Sequence, residues 1–76
     1  MNKQRRTELE KAIELLNQAQ SIISTCQEEE QECFDNLNEG LQATERGQKF
    51  GENADSLQSA YDDIDSVIEY VNNAME

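Results

Sequence analysis

Apolar and small residues recur every three or four positions in two long stretches of this sequence, and the repeat fails between them. This spacing places them on one face of an α-helix and does not fit the alternation of a β-strand. The sequence therefore predicts two long amphipathic helices. The repeat of the second helix is unbroken and consists of Phe50, Ala54, Leu57, Tyr61, Ile64, Ile68, Val71 and Met75.

The first helix has a similar heptad seam, interrupted by Glu30. Cys26 and Cys33 fall on this seam, where we expect them to act as small hydrophobic residues. A disulfide between them is not expected, because seven residues of helix separate them by roughly 10 Å along its axis. The predicted seam is Leu9, Ala12, Leu16, Ala19, Ile23, Cys26, Cys33 and Leu37, widened by Ile13, Leu15, Ile22 and Phe34.

The irregular stretch between the repeats, Phe34–Phe50, contains the residue types that start helices and form turns. Glu39–Gln42 has the length of one short helical turn. Thr44 is the expected N-cap of the second long helix, with a later start at Asn53 as the alternative. We therefore divide one domain, residues 1–76, into a helix over about 5–34, a connection over about 35–44 and a helix over about 45–75.

Two helices of equal length joined by a short connection predict an all-α fold, a long antiparallel helical hairpin. Hydrophobic residues make up 36% of the chain, which gives 76 residues a thin core. The ordering entropy of a chain this short is barely offset by such a core. We therefore expect homo-oligomerisation, as a dimer or larger, to complete a four-helix bundle or a larger helical assembly.

The chain is acidic, with a formal net charge of −11, and its six basic residues form two clusters. Residues 12–45 carry eight acidic and no basic residues, and residues 50–76 carry seven acidic and no basic residues. This charge disfavours direct binding of nucleic acid. No apolar run is long enough for a signal peptide or a membrane span, so we expect a cytoplasmic protein with reduced thiols.

Catalysis is not expected, because the chain has no histidine. It therefore lacks a histidine-activated nucleophile, a di-iron motif of the Glu-x-x-His type and the usual ligands of a structural zinc ion. No phosphate-binding loop is present either. We expect neither an enzyme nor a bound metal or cofactor, and the remaining hypotheses concern binding.

Three segments resemble a family of small acidic helical proteins encoded by bacteriophages and prophages. They are Glu-Gln-Glu-Cys-Phe-Asp-Asn-Leu (30–37), Gly-Leu-Gln (40–42) and Glu-Arg-Gly-Gln-Lys-Phe (45–50), followed by a similar helical pattern through residues 55–64. The chain departs from that family at Asn38, Thr44 and Phe50, where proline, serine and methionine are usual. The resemblance implies a phage origin and an accessory or counter-defence role.

The first binding hypothesis is an oligomer that sequesters a small anion. A helix N-terminus attracts anions, and Arg46, Gly47 and Lys49 lie in the first turns of the second helix. A second protomer would add cations from its N-terminus, in an antiparallel dimer of hairpins. The ligand would be a cyclic nucleotide or another phosphate-rich immune messenger, unless these cations only pair with nearby acids. The N-terminal cations are Lys3, Arg5 and Arg6.

The second binding hypothesis places the function on the acidic surface, as an inhibitor that mimics the charge of DNA and binds a basic host defence protein. A third possibility is a structural or assembly adaptor that uses apolar edges such as Tyr61 and Tyr70. The acidic residues expected to contact the partner are Glu28, Glu29, Glu32, Asp62, Asp63, Asp65 and Glu69, together with Asp55.

Overall fold

Two long helices and a single helical turn make up the computed structural model, which describes residues 1–76. Helix α1 spans Lys3–Asp35, α2 spans Glu39–Gln42 and α3 spans Glu45–Met75. The molecule is a rod with extents of 58 × 15 × 13 Å. The prediction of an all-α chain folded as a long helical hairpin is confirmed. Neither long helix contains an apolar run sufficient to cross a membrane.

Each helix begins at a side chain that caps its first turn. Asn2, Asn38 and Thr44 have extended backbones, and their side-chain oxygens accept a backbone N–H from the turn that follows. The cap at Thr44 and the short helix α2 are as predicted, and α3 takes the earlier of the two starts considered. The capped N–H groups belong to Arg5, Leu41 and Gly47.

Two side-chain contacts fix the register of the antiparallel pair. The Gln20 side chain of α1 donates a hydrogen bond to Asp65 of α3, and the Phe34 ring lies against Gly51. In both pairs the two residue numbers add up to 85. In an antiparallel pair of helices, any two residues whose numbers have this sum therefore lie at the same level along the rod. Leu15 is therefore level with Tyr70.

The hairpin has a thin core. Only Gln20, Gly47 and Ala54 are buried, and Ala54 is the only fully apolar side chain among them. Most other seam residues of the two helices are half-buried. All eight apolar positions predicted for the second helix are buried or half-buried, which confirms the seam of α3.

The seam predicted for the first helix is wrong at Cys26 and Cys33, whereas Phe34 and Leu37 are half-buried as predicted. Both cysteines are exposed, and Gln27, Glu30 and Gln31 are half-buried in their place. Phe34 explains why the cysteines are exposed, because its ring packs on the backbone of α3 at Gly51, which has no side chain. Successive helical residues are turned by about 100°, so burying Phe34 turns Cys33 away from α3. Leu15 and Ile22, expected to widen the seam, are also exposed, whereas Ile13 is half-buried as predicted.

Candidate binding surfaces

The hairpin has two broad faces, one on each side of the seam, and they differ in chemistry. On the first face, the Gln20 side-chain amide donates to the Tyr61 carbonyl oxygen at 3.1 Å and to Asp65 Oδ1 at 2.7 Å. A shallow groove lined by Ser24, Gln58 and Tyr61 lies on this same side. The polar contacts between the helices are therefore concentrated on the first face.

Carboxylates continue this polar side along both helices, and we call the surface the acidic face. Its residues lie three, four, seven or eleven positions from Ser24 or Gln58, the spacing of one helix face. All are exposed. The only ion pair in the chain is Lys11 with Glu8, at 3.9 Å, so none of these carboxylates is neutralised. The acidic face consists of Glu28 and Asp35 of α1 and Asp55, Asp62, Asp65 and Glu69 of α3.

Glutamine amides contact three carboxylates of the acidic face. Asp65 accepts from Gln20, Asp35 accepts from the Gln31 side chain at 2.9 Å, and Asp62 accepts from the Gln58 side chain at 3.2 Å. These neutral donors orient the carboxylates without removing their charge. Half of the carboxylates of the acidic face are therefore oriented by neutral side chains.

The structure separates the acidic residues that the sequence analysis grouped together. Glu28, Asp62, Asp65 and Glu69 share the acidic face with Asp55. Glu29 and Asp63 are exposed but follow Glu28 and Asp62 directly, so the helical turn of about 100° carries them off this face. Glu32 is exposed on the outer surface of α1.

The second broad face is apolar, and we call it the apolar face. Leu15 and Ile22 of α1 are 64% and 66% exposed, and Val67 and Tyr70 of α3 are 42% and 71% exposed. Cys26 and Cys33 continue the α1 stripe at heptad spacing, and both are exposed. Cys33 borders a groove on this side with Arg46 of α3, and Val67 lies three heptads after Arg46. Both stripes are therefore on the same side of the hairpin.

The sequence-based prediction does not include the apolar face as one surface, because it places Leu15 and Ile22 on the seam. A signal for the face was present, since Leu15 and Ile22 each precede a seam residue, Leu16 and Ile23, by one position. A helix with apolar residues at both sets of heptad positions has two apolar stripes, and one partner helix covers only one of them.

The connection packs tightly around Gly47, which is buried. A Cβ atom at this position would overlap the Leu41 carbonyl oxygen and would lie 2.9 Å from Gln42 Cα. The absence of a side chain at Gly47 therefore allows the backbone of Leu41 and Gln42 to pack directly against it. The Gln42 side chain donates to the Phe34 carbonyl oxygen at 3.0 Å and ties the connection to the end of α1.

The cations proposed for an anion site lie in two separate places. Arg46 and Lys49 are exposed and have no acidic partner, and Arg46 borders an open groove of about 530 Å³ on the apolar side. Thr44, Leu37 and Phe50 also line this groove. The other three cations are at the opposite end of the 58 Å rod, so a single chain does not bring all five together. They are Lys3, Arg5 and Arg6, all exposed.

One carboxylate lies on the seam itself. Glu30 is half-buried, and its Oε2 atom is buried without a hydrogen-bond partner. The register places Glu30 level with Asp55, close to the fully buried Ala54. Burying part of a charged group without a partner destabilises the folded state. No group of three histidine, cysteine, aspartate or glutamate side chains is arranged to hold a metal ion.

No protein-family model matches this chain, and it has no significant match among curated proteins or solved structures. The functional argument therefore depends on the chemistry of the two faces and the connection.

Proposed function

We propose that this chain is a non-enzymatic, phage-encoded binding protein that works as a homo-oligomeric helical bundle in the host cytoplasm. Its acidic face binds a basic protein of the bacterial defence machinery. The observation that carries this proposal is the row of exposed carboxylates without any basic neighbour. The phage origin and the class of partner come from the resemblance of residues 30–50 to phage proteins.

The arrangement of the acidic face favours a partner with a basic groove. Four carboxylates of α3, from Asp55 to Glu69, span 14 residues, or about 21 Å of helix. The two carboxylates of α1 extend the same surface towards the connection. A rigid row of negative charges complements a groove that binds nucleic acid, and it accelerates association by electrostatic steering.

The structure offers a matched pair of variants to test the acidic face. Asp55→Asn with Asp62→Asn removes two charges from it. Glu32→Gln with Asp63→Asn removes two charges at exposed positions off the face. Both variants change the net charge equally, so any difference between them reports on the face and not on the overall charge.

The experiment has two steps. The immobilised protein and both variants are exposed to lysate of a bacterial host, and the retained proteins are compared by quantitative mass spectrometry. A basic protein retained by the wild type is then purified and titrated by calorimetry over a salt series. We expect the Asp55/Asp62 variant to bind about tenfold more weakly, equivalent to about 1.4 kcal/mol. The control variant should bind like the wild type, and salt should weaken binding.

Equal affinity of the two variants for the purified protein would refute the proposal, as would binding that is insensitive to salt. A wild-type protein that retains no basic protein more strongly than the Asp55/Asp62 variant does would refute it as well.

Sequestration of a phosphate-rich messenger is a second candidate function, favoured by one observation. Arg46 is exposed and unpaired beside a groove that also contains Thr44 and Phe50, so a charged group, a hydroxyl and an aromatic ring lie together. Native mass spectrometry with added cyclic nucleotides tests this candidate. An added mass of a few hundred daltons per site, lost in Arg46→Glu and kept in the Asp55/Asp62 variant, would favour this function over the first.

A further inference from the structure

The hairpin exposes more surface than a folded monomer of its size. Its accessible surface is 5649 Å², whereas a monomeric protein of 8.7 kDa exposes roughly 4,700 Å² by the usual scaling with mass. The excess of about 900 Å² is close to the roughly 800 Å² that each partner buries in a standard protein interface. One further interface would therefore bring the chain to an ordinary exposed area.

The apolar face is the surface suited to that interface, and it lies near the middle of the rod. Helix α1 spans Lys3–Asp35, so its midpoint is Ala19. Leu15 and Ile22 flank this midpoint at nearly equal distances, and both are about two-thirds exposed. A two-fold axis near Ala19, perpendicular to the rod, therefore superimposes the apolar stripe of one copy on that of a second copy. Such an interface is isologous, as in most homodimers.

The charge distribution determines the direction of the second copy. The open half of the rod, residues 1–20 and 65–76, carries four basic and six acidic residues, a net charge of −2. The half that contains the connection, residues 21–64, carries two basic and eleven acidic residues, a net charge of −9. A parallel dimer places the two −9 halves side by side. An antiparallel dimer places each −9 half beside a −2 half and so reduces the repulsion.

We infer that a second copy of this chain packs antiparallel on the apolar face, with Leu15 of one protomer against the partner's Ile22. The inference rests on the homo-oligomer of the proposed function and identifies the face, the direction and the residues that form it. The acidic faces then lie on the two outer sides of the four-helix bundle, free for a partner. The N-terminal cations of each protomer come beside the connection of the other, near Arg46.

Sedimentation velocity over a concentration series tests the interface. Leu15→Ser removes an exposed leucine from the apolar face, and Glu32→Ser introduces the same residue at an exposed position on the outer surface of α1 as the control. We expect the wild type and the control to be dimers at micromolar concentration. The dissociation constant of Leu15→Ser should rise at least tenfold, because the two-fold axis places the substitution in the interface twice.

Pulsed electron paramagnetic resonance tests the direction without depending on the folding of Leu15→Ser. A single spin label is placed on Glu32→Cys, on the outer surface of α1, with Cys26→Ala and Cys33→Ala removing the native thiols. Glu32 is 13 residues from Ala19, so an antiparallel dimer separates the two labels by about 40 Å along the rod. A parallel dimer keeps the labels at the same level, about 20 Å apart across the bundle.

A distance near 20 Å would overturn the antiparallel packing, and a wild type that stays monomeric at about 100 µM would overturn the interface itself. Unchanged dimerisation of Leu15→Ser would assign the interface to another surface. None of these results affects the test of the acidic face, because Asp55 and Asp62 lie on the opposite side of the hairpin. Binding at the acidic face and packing at the apolar face can therefore fail independently.

Discussion

Replacing Gly47 by alanine should destabilise the hairpin although alanine is the better helix former. In a helix interior, alanine is favoured over glycine by about 1 kcal/mol. At this position, however, the added methyl group meets backbone atoms of Leu41 and Gln42, which belong to the connection and have no rotamer to change. Overpacking of this kind costs about 3 kcal/mol when the neighbour is rigid. The net loss expected for Gly47→Ala is therefore about 2 kcal/mol.

Gly51 provides the control for this substitution, because it lies one turn further along the same helix. A Cβ atom there would lie 3.6 Å from the Phe34 ring, an ordinary van der Waals contact. Gly51→Ala should therefore gain close to the full helix propensity, about 1 kcal/mol. Two identical substitutions four residues apart are expected to have opposite signs.

Urea denaturation followed by circular dichroism at 222 nm measures both changes. One fixed protein concentration is used, because the proposed dimer would make stability depend on concentration. In thermal unfolding, Gly47→Ala should lower the midpoint by about 8–16 °C, and Gly51→Ala should raise it by about 4–8 °C. The reasoning is refuted if Gly47→Ala is as stable as the wild type, or if Gly51→Ala is destabilised to the same extent.

Two other substitutions on the seam should change stability in opposite directions. Gln20→Ala removes two interhelical hydrogen bonds and should lower the free energy of unfolding by about 2 kcal/mol in the same denaturation assay. Gln18→Ala, at an exposed position, should lower it little. Equal losses for the two variants would contradict this reasoning. Glu30→Leu removes a partly buried carboxylate that lacks a partner and should stabilise the hairpin by about 1–2 kcal/mol. Glu32→Leu makes the same chemical change at an exposed position on the outer surface of α1, and a similar gain there would assign the effect to relief of charge repulsion in the acidic run.

The elements of the fold followed from the sequence because they depend on local chemistry. The apolar period of α3 is unbroken from Phe50 to Met75, and Thr44 has the side chain that caps a helix. Helix α1 carries apolar residues at two sets of heptad positions, one residue apart, and the sequence pattern alone does not say which set faces α3. That choice is made by tertiary contacts, above all by Phe34 against Gly51.

The candidate surfaces were less accessible to sequence reasoning for the same reason. Adjacent acidic residues such as Asp62 and Asp63 belong to one charge run in the sequence but to different sides of the folded rod. The role of Gly47 was also out of reach, because the atoms that fill the space beside it belong to the connection and their position depends on how that turn folds back.

The Gln20 side chain also limits which structures the hairpin can adopt. Two long helices with a repeating apolar pattern can slide past one another by one heptad and still match apolar residues to apolar residues. Such a slip would move Gln20 away from both Asp65 and the Tyr61 carbonyl oxygen and would leave a buried amide without partners. The Gln20 amide thus selects one alignment of the two helices, as a single buried asparagine does in a coiled coil. Without these hydrogen bonds, a hairpin with so thin a core would populate several helix alignments. The carboxylates on the two helices would then no longer form one continuous surface.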